Sequence, residues 1–235
     1  MIHDILPVSV QKFEEGEIDR VLAKLKKGKA PGNDDVPSDF WKILSDNKEA
    51  VAELLGLCNH CWEQKDIPEE WRVAKVVLLF KKGDASLPEN YRPISLLPIG
   101  YKVLATLMHQ RLIDSGVDQR IRQSQYGFRP RRNCNDALMV VRRAIDAAYE
   151  EKQSGLLMVF LDWAKAFDRM KSDTLLIALR RFGLPEEFVD MIGGIYKVRK
   201  FFIADHSGKS DVYAQNAGIA QGCPLSHFCL YWFKA

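Results

Sequence analysis

Cysteine is scarce in this 235-residue chain: five, at positions 58, 61, 134, 223 and 229. An odd, widely spaced set is no disulfide scaffold, so a reducing compartment is expected. Long apolar runs are missing as well. The ones present, such as Val76 to Phe80, fall far short of the ~20 residues that span a bilayer. The opening MIHDILPVSV has neither the basic start nor the apolar stretch of a secretory leader. These absences lead to the expectation of a soluble, non-secreted protein of the nucleus or cytoplasm, without a membrane partner. A charge excess is lacking too. Lys+Arg 34 against Asp+Glu 31 leaves +3, too little to argue for an anionic partner. No internal repeat or low-complexity linker is visible.

What is present suits a packed core. Hydrophobic residues make up 47% and charged residues 28%, near the globular average, which excludes disorder and coiled coil. FEEGEIDRVLAKLKK (13–27) puts Phe13, Ile18, Val21, Leu22 and Leu25 on one helical face, with acids early and lysines late. GKAPGNDDVP then predicts a loop, and Ser38 is placed to cap a short helix through Leu44. A helix is expected over 48–64, a buried strand over 74–80, a turn at KKGD and a loop carrying YRPIS. Pro98 opens a helix to about Ser115, and another runs from about Asn133 to Glu151. LLMVFLD (156–162) is the strongest strand candidate. Helices follow near 172–182 and 185–197, then a hairpin of 199–205 and 209–215, and Pro224 begins a last helix. Helices and strands mix without βαβ regularity, which favours an α+β fold.

Four stretches can carry chemistry. Asp162 ends the apolar strand candidate, where a carboxylate can face a cleft and ligate a metal ion in phosphoryl transfer. Equally, it can cap the helical stretch that follows. GIAQGCPLS (218–226) holds Gln221 and Gly222, an amide and a residue that permits close backbone approach; an ordinary turn is the plainer alternative. In FKKGDASLPENYRPISLL (80–97), Lys81, Lys82 and Arg92 suit a triphosphate, or a solvated hairpin tip. In QYGFRPRRNCNDAL (125–138), Arg129, Arg131 and Arg132 stand beside Tyr126 and Phe128, a mixture that suits nucleic-acid backbone and base faces. Residues 120–143 hold seven Arg, no Lys and one acid, a local +6 hidden by the overall balance.

Cys58-Asn-His-Cys61 has the spacing of two zinc ligands, but no second pair follows at a usual distance. Three-residue spacing in a helix also marks a buried face, which is the reading adopted. Cys223, His227 and Cys229 could hold a metal in principle; a buried helix start is the reading adopted.

Taken together and in this order, the runs GKAPGNDDVP, AKVVLLFKKGD, NYRPISLLPIGYKVLATLMHQRL, QYGFRPRRNCNDAL, VFLDWAKAFDRM and GIAQGCPLS resemble the reverse transcriptase domain of non-LTR (LINE-type) retrotransposons, and more distantly group II intron reverse transcriptases. The resemblance covers nearly the whole chain from about residue 13. It implies a right-hand polymerase fold, with fingers over 1–155 and the first part of the palm over 156–235. It implies RNA-directed DNA polymerase activity: deoxynucleoside triphosphates added to a DNA primer on an RNA template, with two Mg²⁺ ions. Asp162 matches the first catalytic aspartate, ligating Mg²⁺ with the backbone carbonyl of Trp163. Phe167 matches the bulky residue that excludes a 2′-hydroxyl, and Asp168 a structural position. Arg92 matches the arginine on the triphosphate and Lys81 or Lys82 its lysine partner. Gln221 and Gly222 match the motif beside nucleotide and template, and Arg129 an arginine near the template.

The sequence departs from that pattern after Gly222. The family's Phe/Tyr-Ala-Asp-Asp hairpin is expected some tens of residues later. Here 13 residues follow Gly222, and 212–235 contain no Asp or Glu. The expectation is a chain that stops short of the second metal-binding element and the thumb, and does not polymerise by itself. Leu157, Val159 and Leu161 are then expected to lack full cover, and FCLYWF to expose an apolar patch. The alternative function is a non-catalytic nucleic-acid-binding or inert remnant of a mobile element.

Overall fold

The alternating, β-rich VAKVVLLF forms β1 (Val73–Phe80), with Ala74 and Val76 buried and Leu78 to Phe80 exposed where the strand runs past the core. β2 (Tyr91–Leu96) pairs antiparallel with β1, and β3 (Arg199–Asp205) pairs parallel with its other edge. The loop expected for YRPIS is therefore a strand. Its proline is tolerated because β2 lies at a sheet edge, where Pro93 has no second ladder to supply. β4 (Gly208–Lys209) and β5 (Tyr213–Gln215) both return antiparallel along β3. Ser210 bridges the gap between them. Its N–H donates to the Ile203 carbonyl (2.9 Å) and its hydroxyl accepts from the Ile203 N–H (2.9 Å).

This computed structural model describes residues 4–129, 131–150, 155–162, 167–205, 208–220 and 222–226. Seven α-helices lie among them: α1 (Glu15–Ala23), α2 (Ser38–Leu44), α3 (Lys48–Gln64), α4 (Ile99–Asp114), α5 (Cys134–Glu150), α6 (Ser172–Phe182) and α7 (Glu186–Tyr196). All lie within a few residues of where periodicity placed them. Local chemistry sets their ends. Asn47 caps α3, its side-chain oxygen accepting from Glu49 and Ala50 N–H at 3.0 and 3.1 Å. Gly183, at φ +91°, ends α6. Ser38 differs from expectation: it is the first helical residue of α2, preceded by Pro37. Its buried hydroxyl accepts from the Lys29 N–H (3.0 Å), which pins the 28–37 loop to the helix.

One apolar core joins these elements. Ile18 and Leu22 of α1 meet Cys58 and Trp62 of α3, Leu104, Met108 and Leu112 of α4, Leu175 and Leu179 of α6, and Phe188 and Ile192 of α7. Cys58 and Cys61 belong to this core. Burial pushes their thiols up to about 12 and about 11, so both are protonated at neutral pH. That is the buried helix face read from their spacing. α5 is different: amphipathic, with no buried residue among those described.

The strand expected over 156–162 is not formed. The segment has no regular secondary structure, and Leu157, Val159 and Leu161 are 89%, 72% and 84% exposed, the incomplete cover expected of them. An apolar run becomes a strand only when a neighbour accepts its backbone hydrogen bonds, and among the described residues no strand of the sheet pairs with 156–162. Of the helix expected from Pro224, and of FCLYWF, all beyond Ser226 lies outside the described residues. No helix among the described residues is long and apolar enough to cross a membrane.

Candidate functional site

The β1–β2 hairpin builds the first part of the site. Leu79 stands opposite Arg92 and Phe80 opposite Tyr91, and the Lys81 N–H donates to the Asn90 carbonyl at 2.8 Å, which continues the same register. Residues directly opposite in an antiparallel pair share a face, and faces alternate along each strand. Lys81 therefore falls on the face of Leu79 and Arg92, while Lys82 falls in the turn beside Gly83. Register thus places Lys81, and not Lys82, on the face of Arg92.

The tip is held by its own hydrogen bonds. Asp84 accepts from the Ser86 N–H (2.9 Å) and hydroxyl (2.8 Å), which lowers its carboxyl below the usual range. Asn90 donates to the Asp84 carbonyl (2.8 Å) and the Tyr91 hydroxyl to that of Ala85 (2.9 Å). Lys81, Lys82 and Arg92 are exposed, and among the described residues their charged ends have no ion-pair partner.

Two glycines carry the second part. Gly218, at φ +93°, approaches the Phe167–Asp168 backbone so closely that a Cβ would lie 3.1 Å from it. The Gly218 N–H donates to the Met170 carbonyl (2.7 Å) and the Ile219 N–H to that of Phe167 (2.8 Å). Gly222, at φ +119°, rests on β2: a Cβ there would meet the Ser95 carbonyl oxygen at 2.9 Å. The following residue is anchored to α4, its Cys223 thiol 3.0 Å from the buried Tyr101 hydroxyl. Thus Gly222 is brought to the strand that bears Arg92, while half-buried Phe167 and exposed Asp168 are held against Gly218 and Ile219, a few residues earlier in the same loop. Sequence reasoning missed Tyr101 and Ser95. No local signal marks either, because both act across more than a hundred residues of chain.

Gly222→Ala is expected to lower stability by about 1–3 kcal/mol, through positive φ and the clash with Ser95. Urea denaturation of the two proteins measures it, and an unchanged midpoint contradicts the close approach.

Asp162 stands apart. It is exposed, and among the described residues it makes no hydrogen bond or ion pair. Trp163 and Gln221 lie outside the described residues. Among those described, no three His, Cys, Asp or Glu side chains are grouped to hold a metal ion. One carboxylate at Asp162 does not fit a two-ion site, whose cations lie about 3.5–4 Å apart and need shared ligands.

The arginine cluster divides. Arg129 was expected at a template strand, yet its side chain is only 5% exposed. Nε and Nη2 grip the Asp118 carboxylate at 3.0 Å each, Nη2 also donates to the Asp118 carbonyl, and Nη1 to the Arg122 carbonyl. In this structure that guanidinium closes its own loop and offers nothing to solvent. Arg132 lies 5.3 Å from the Tyr126 ring and donates to Gln123 (2.6 Å). Arg131, at φ +59°, is exposed.

Residues 80–231 match the family described as reverse transcriptase (RNA-dependent DNA polymerase). The chain is 30% identical over 223 residues to the RNA-directed DNA polymerase from mobile element jockey of Drosophila melanogaster, an alignment covering 94% of this chain and 24% of that protein. It is 28% identical over 230 residues to the probable RNA-directed DNA polymerase from transposon X-element of the same species, covering 96% and 25%. Against the transposon TX1 uncharacterized 149 kDa protein of Xenopus laevis it is 28% identical over 233 residues, covering 95% and 17%. The chain therefore spans a quarter or less of these relatives' length. A solved partial Cas6-RT-Cas1–Cas2 complex aligns with 96% of this chain and 33% of that one, at 16% identity and a TM-score of 0.46.

Proposed function

Because this chain belongs to the reverse transcriptase family, we propose that it is a domain segment of a non-LTR retrotransposon RNA-directed DNA polymerase, which adds deoxynucleotides to a primer on an RNA template. In this reading residues 1–155 form the fingers and the remainder starts the palm. The observation that carries it is the shared face of Lys81 and Arg92, on the hairpin against which Gly222 packs.

The roles follow from chemistry. The Arg92 guanidinium forms a fork that grips phosphate oxygens from two directions, and Lys81 adds a point charge on the same face. Phosphoryl transfer asks a protein mainly to position and neutralise phosphates, and these side chains do that for a triphosphate. Phe167, half-buried and packed on the core, presents a rigid ring where a deoxyribose fits better than a ribose. By the same resemblance Gln221 and Gly222 are assigned to the template side. Asp162 and the Trp163 carbonyl are the proposed Mg²⁺ ligands, but they do not complete a two-ion site. The 235 residues alone therefore bind nucleotide and nucleic acid without extending a primer.

Binding of a deoxynucleoside triphosphate, read by equilibrium dialysis, tests the assignment. Lys81→Ala and Arg92→Ala are each expected to weaken it on the order of tenfold, and Lys82→Ala by about twofold or less. Equal effects of the two lysines, or no binding by the parent chain, overturn it. A primer-extension assay on the same protein is expected to show no synthesis. Mg²⁺-dependent extension abolished by Asp162→Ala contradicts the inactivity and leaves the family membership standing.

RNA binding is expected to fall as salt rises. Arg131→Ala lowers the slope of log affinity against log salt by about one, as for one lost phosphate contact. Arg129→Ala lowers the melting temperature instead, because it leaves Asp118 without its partner.

A further inference from the structure

Arg199, at the start of β3, is a charge without a counter-charge among the described residues. It is 4% exposed, and among the described residues it makes no ion pair. Among the described residues its buried Nη1 has no hydrogen-bond partner, and the Tyr196 ring lies 5.3 Å from the guanidinium carbon. The buried arginines elsewhere are satisfied: Arg72 by Asp66 and two carbonyls, Arg111 by Glu17 and three, Arg129 by Asp118 and two. A buried guanidinium without such partners is costly unless something anionic reaches it.

Arg199 lines a cavity of about 620 Å³ between α6, the end of α7 and the β3–β5 hairpin. Lys197 lines it too, as do Ser172 and Asp173 in the first turn of α6. That helix of 11 residues has no side-chain cap at Lys171, and the N–H groups of Ser172, Asp173 and Thr174 have no acceptor among the described residues. One rim of the cavity is thus a helix N-terminus with open donors, and Lys197 and the unmatched Arg199 bring positive charge to the others. Partial positive charge at a helix start, a guanidinium and an ammonium converge on one ligand chemistry.

We propose that this cavity binds a phosphate group, from a nucleic-acid backbone or as free phosphate. It is separate from the Lys81–Arg92 hairpin and does not depend on the polymerase reading. Four phosphate oxygens accept from the open N–H groups of α6, the Ser172 hydroxyl, Lys197 and Arg199. The volume admits the group with an attached sugar. Asp173 is the opposing charge: exposed at the rim, it sets a limit on affinity, and its removal strengthens an anion while weakening a cation.

The test is thermal unfolding of the full chain in inorganic phosphate against chloride at matched ionic strength, and, separately, anisotropy of a labelled six-nucleotide single-stranded RNA. Phosphate is expected to raise the midpoint, as any ligand of the folded state does. Lys197→Ala weakens the apparent affinity by about threefold to tenfold, Asp173→Asn strengthens it by about threefold, and Arg199→Gln removes it. Should Arg199→Gln fail to fold, the two exposed substitutions carry the test. RNA binding that Lys197→Ala weakens and phosphate competes away supports a backbone phosphate as the source. RNA binding indifferent to both, with the phosphate shift intact, supports free phosphate. No phosphate shift together with RNA binding untouched by Lys197→Ala, or Asp173→Asn leaving binding equal or weaker, overturns the proposal.

Discussion

Arg111→Met is expected to destabilise the protein by about 3–5 kcal/mol, the range for removing one partner of a buried ion pair. Arg111 projects from α4 into the N-terminal segment, its side chain 5% exposed. Nε and Nη2 hold the two Glu17 oxygens at 2.7 Å each, while Nη1 and Nη2 donate to the carbonyls of Ser9, Gln11 and Lys12 at 3.2, 2.5 and 2.8 Å. The guanidinium also covers the Phe13 ring at 4.2 Å. Methionine keeps the apolar bulk and leaves three carbonyls and a carboxylate unmatched. Arg111→Lys recovers little, because a single ammonium cannot reproduce a planar fork aimed at four acceptors.

The same pair sets an acid dependence. Burial tends to raise the Glu17 carboxyl, but the Arg111 hydrogen bonds and charge, with the Glu14 N–H, outweigh it and hold it below its ordinary value of 4.5. A depressed folded-state value means stability that is present above the unfolded value and lost as pH falls through the folded one. Denaturant midpoints of the parent should therefore fall as pH drops below about 4.5, and the Arg111→Met protein should lack that component. Parallel pH profiles for the two contradict the assignment.

The second large effect separates two adjacent glycines in α7. Helix propensity alone predicts that alanine at either 193 or 194 stabilises by up to about 1 kcal/mol. Packing reverses this at one of them. A Cβ on Gly194 would lie 1.9 Å from the Lys65 carbonyl oxygen and 2.8 Å from its carbon, both backbone atoms at the left-handed end of α3. Arg72 staples that approach, donating to the Gly194 carbonyl at 2.9 Å and to that of Lys197, with its other nitrogens on Asp66 and Glu69. A Cβ on Gly193 meets only the end of Leu176, at 3.4 Å, an ordinary contact. Gly194→Ala is expected to cost about 3 kcal/mol or more, since backbone rather than a flexible side chain has to move. Gly193→Ala is neutral or slightly stabilising. Melting temperatures of the pair, moving in opposite directions or by very different amounts, check it; equal shifts sink the steric account.

The sequence by itself determined the helices, the family and the position of the candidate residues. Periodicity, caps and the glycine and proline stops act within a few residues, so α1 to α7 were legible to within a turn. The order of NYRPISLL, QYGFR and LDWAKAFD is a property of the chain, and it pointed to reverse transcriptases before any coordinate. Tertiary structure decided what depends on distant partners. β2 exists because β1 lies beside it, and LLMVFL is no strand because nothing among the described residues accepts its hydrogen bonds. Lys81 was placed on the face of Arg92, apart from Lys82, by a register that pairs Phe80 with Tyr91 and Lys81 with Asn90. Arg129 and Arg131 look alike in a basic run; Asp118 buries one and leaves the other exposed. Gly222 read as a residue permitting close backbone approach, or as a turn glycine, and only the Ser95 carbonyl showed which neighbour it packs against. The charge of Arg199 was invisible as a feature until burial removed water from it, because a charge acquires meaning from what surrounds it.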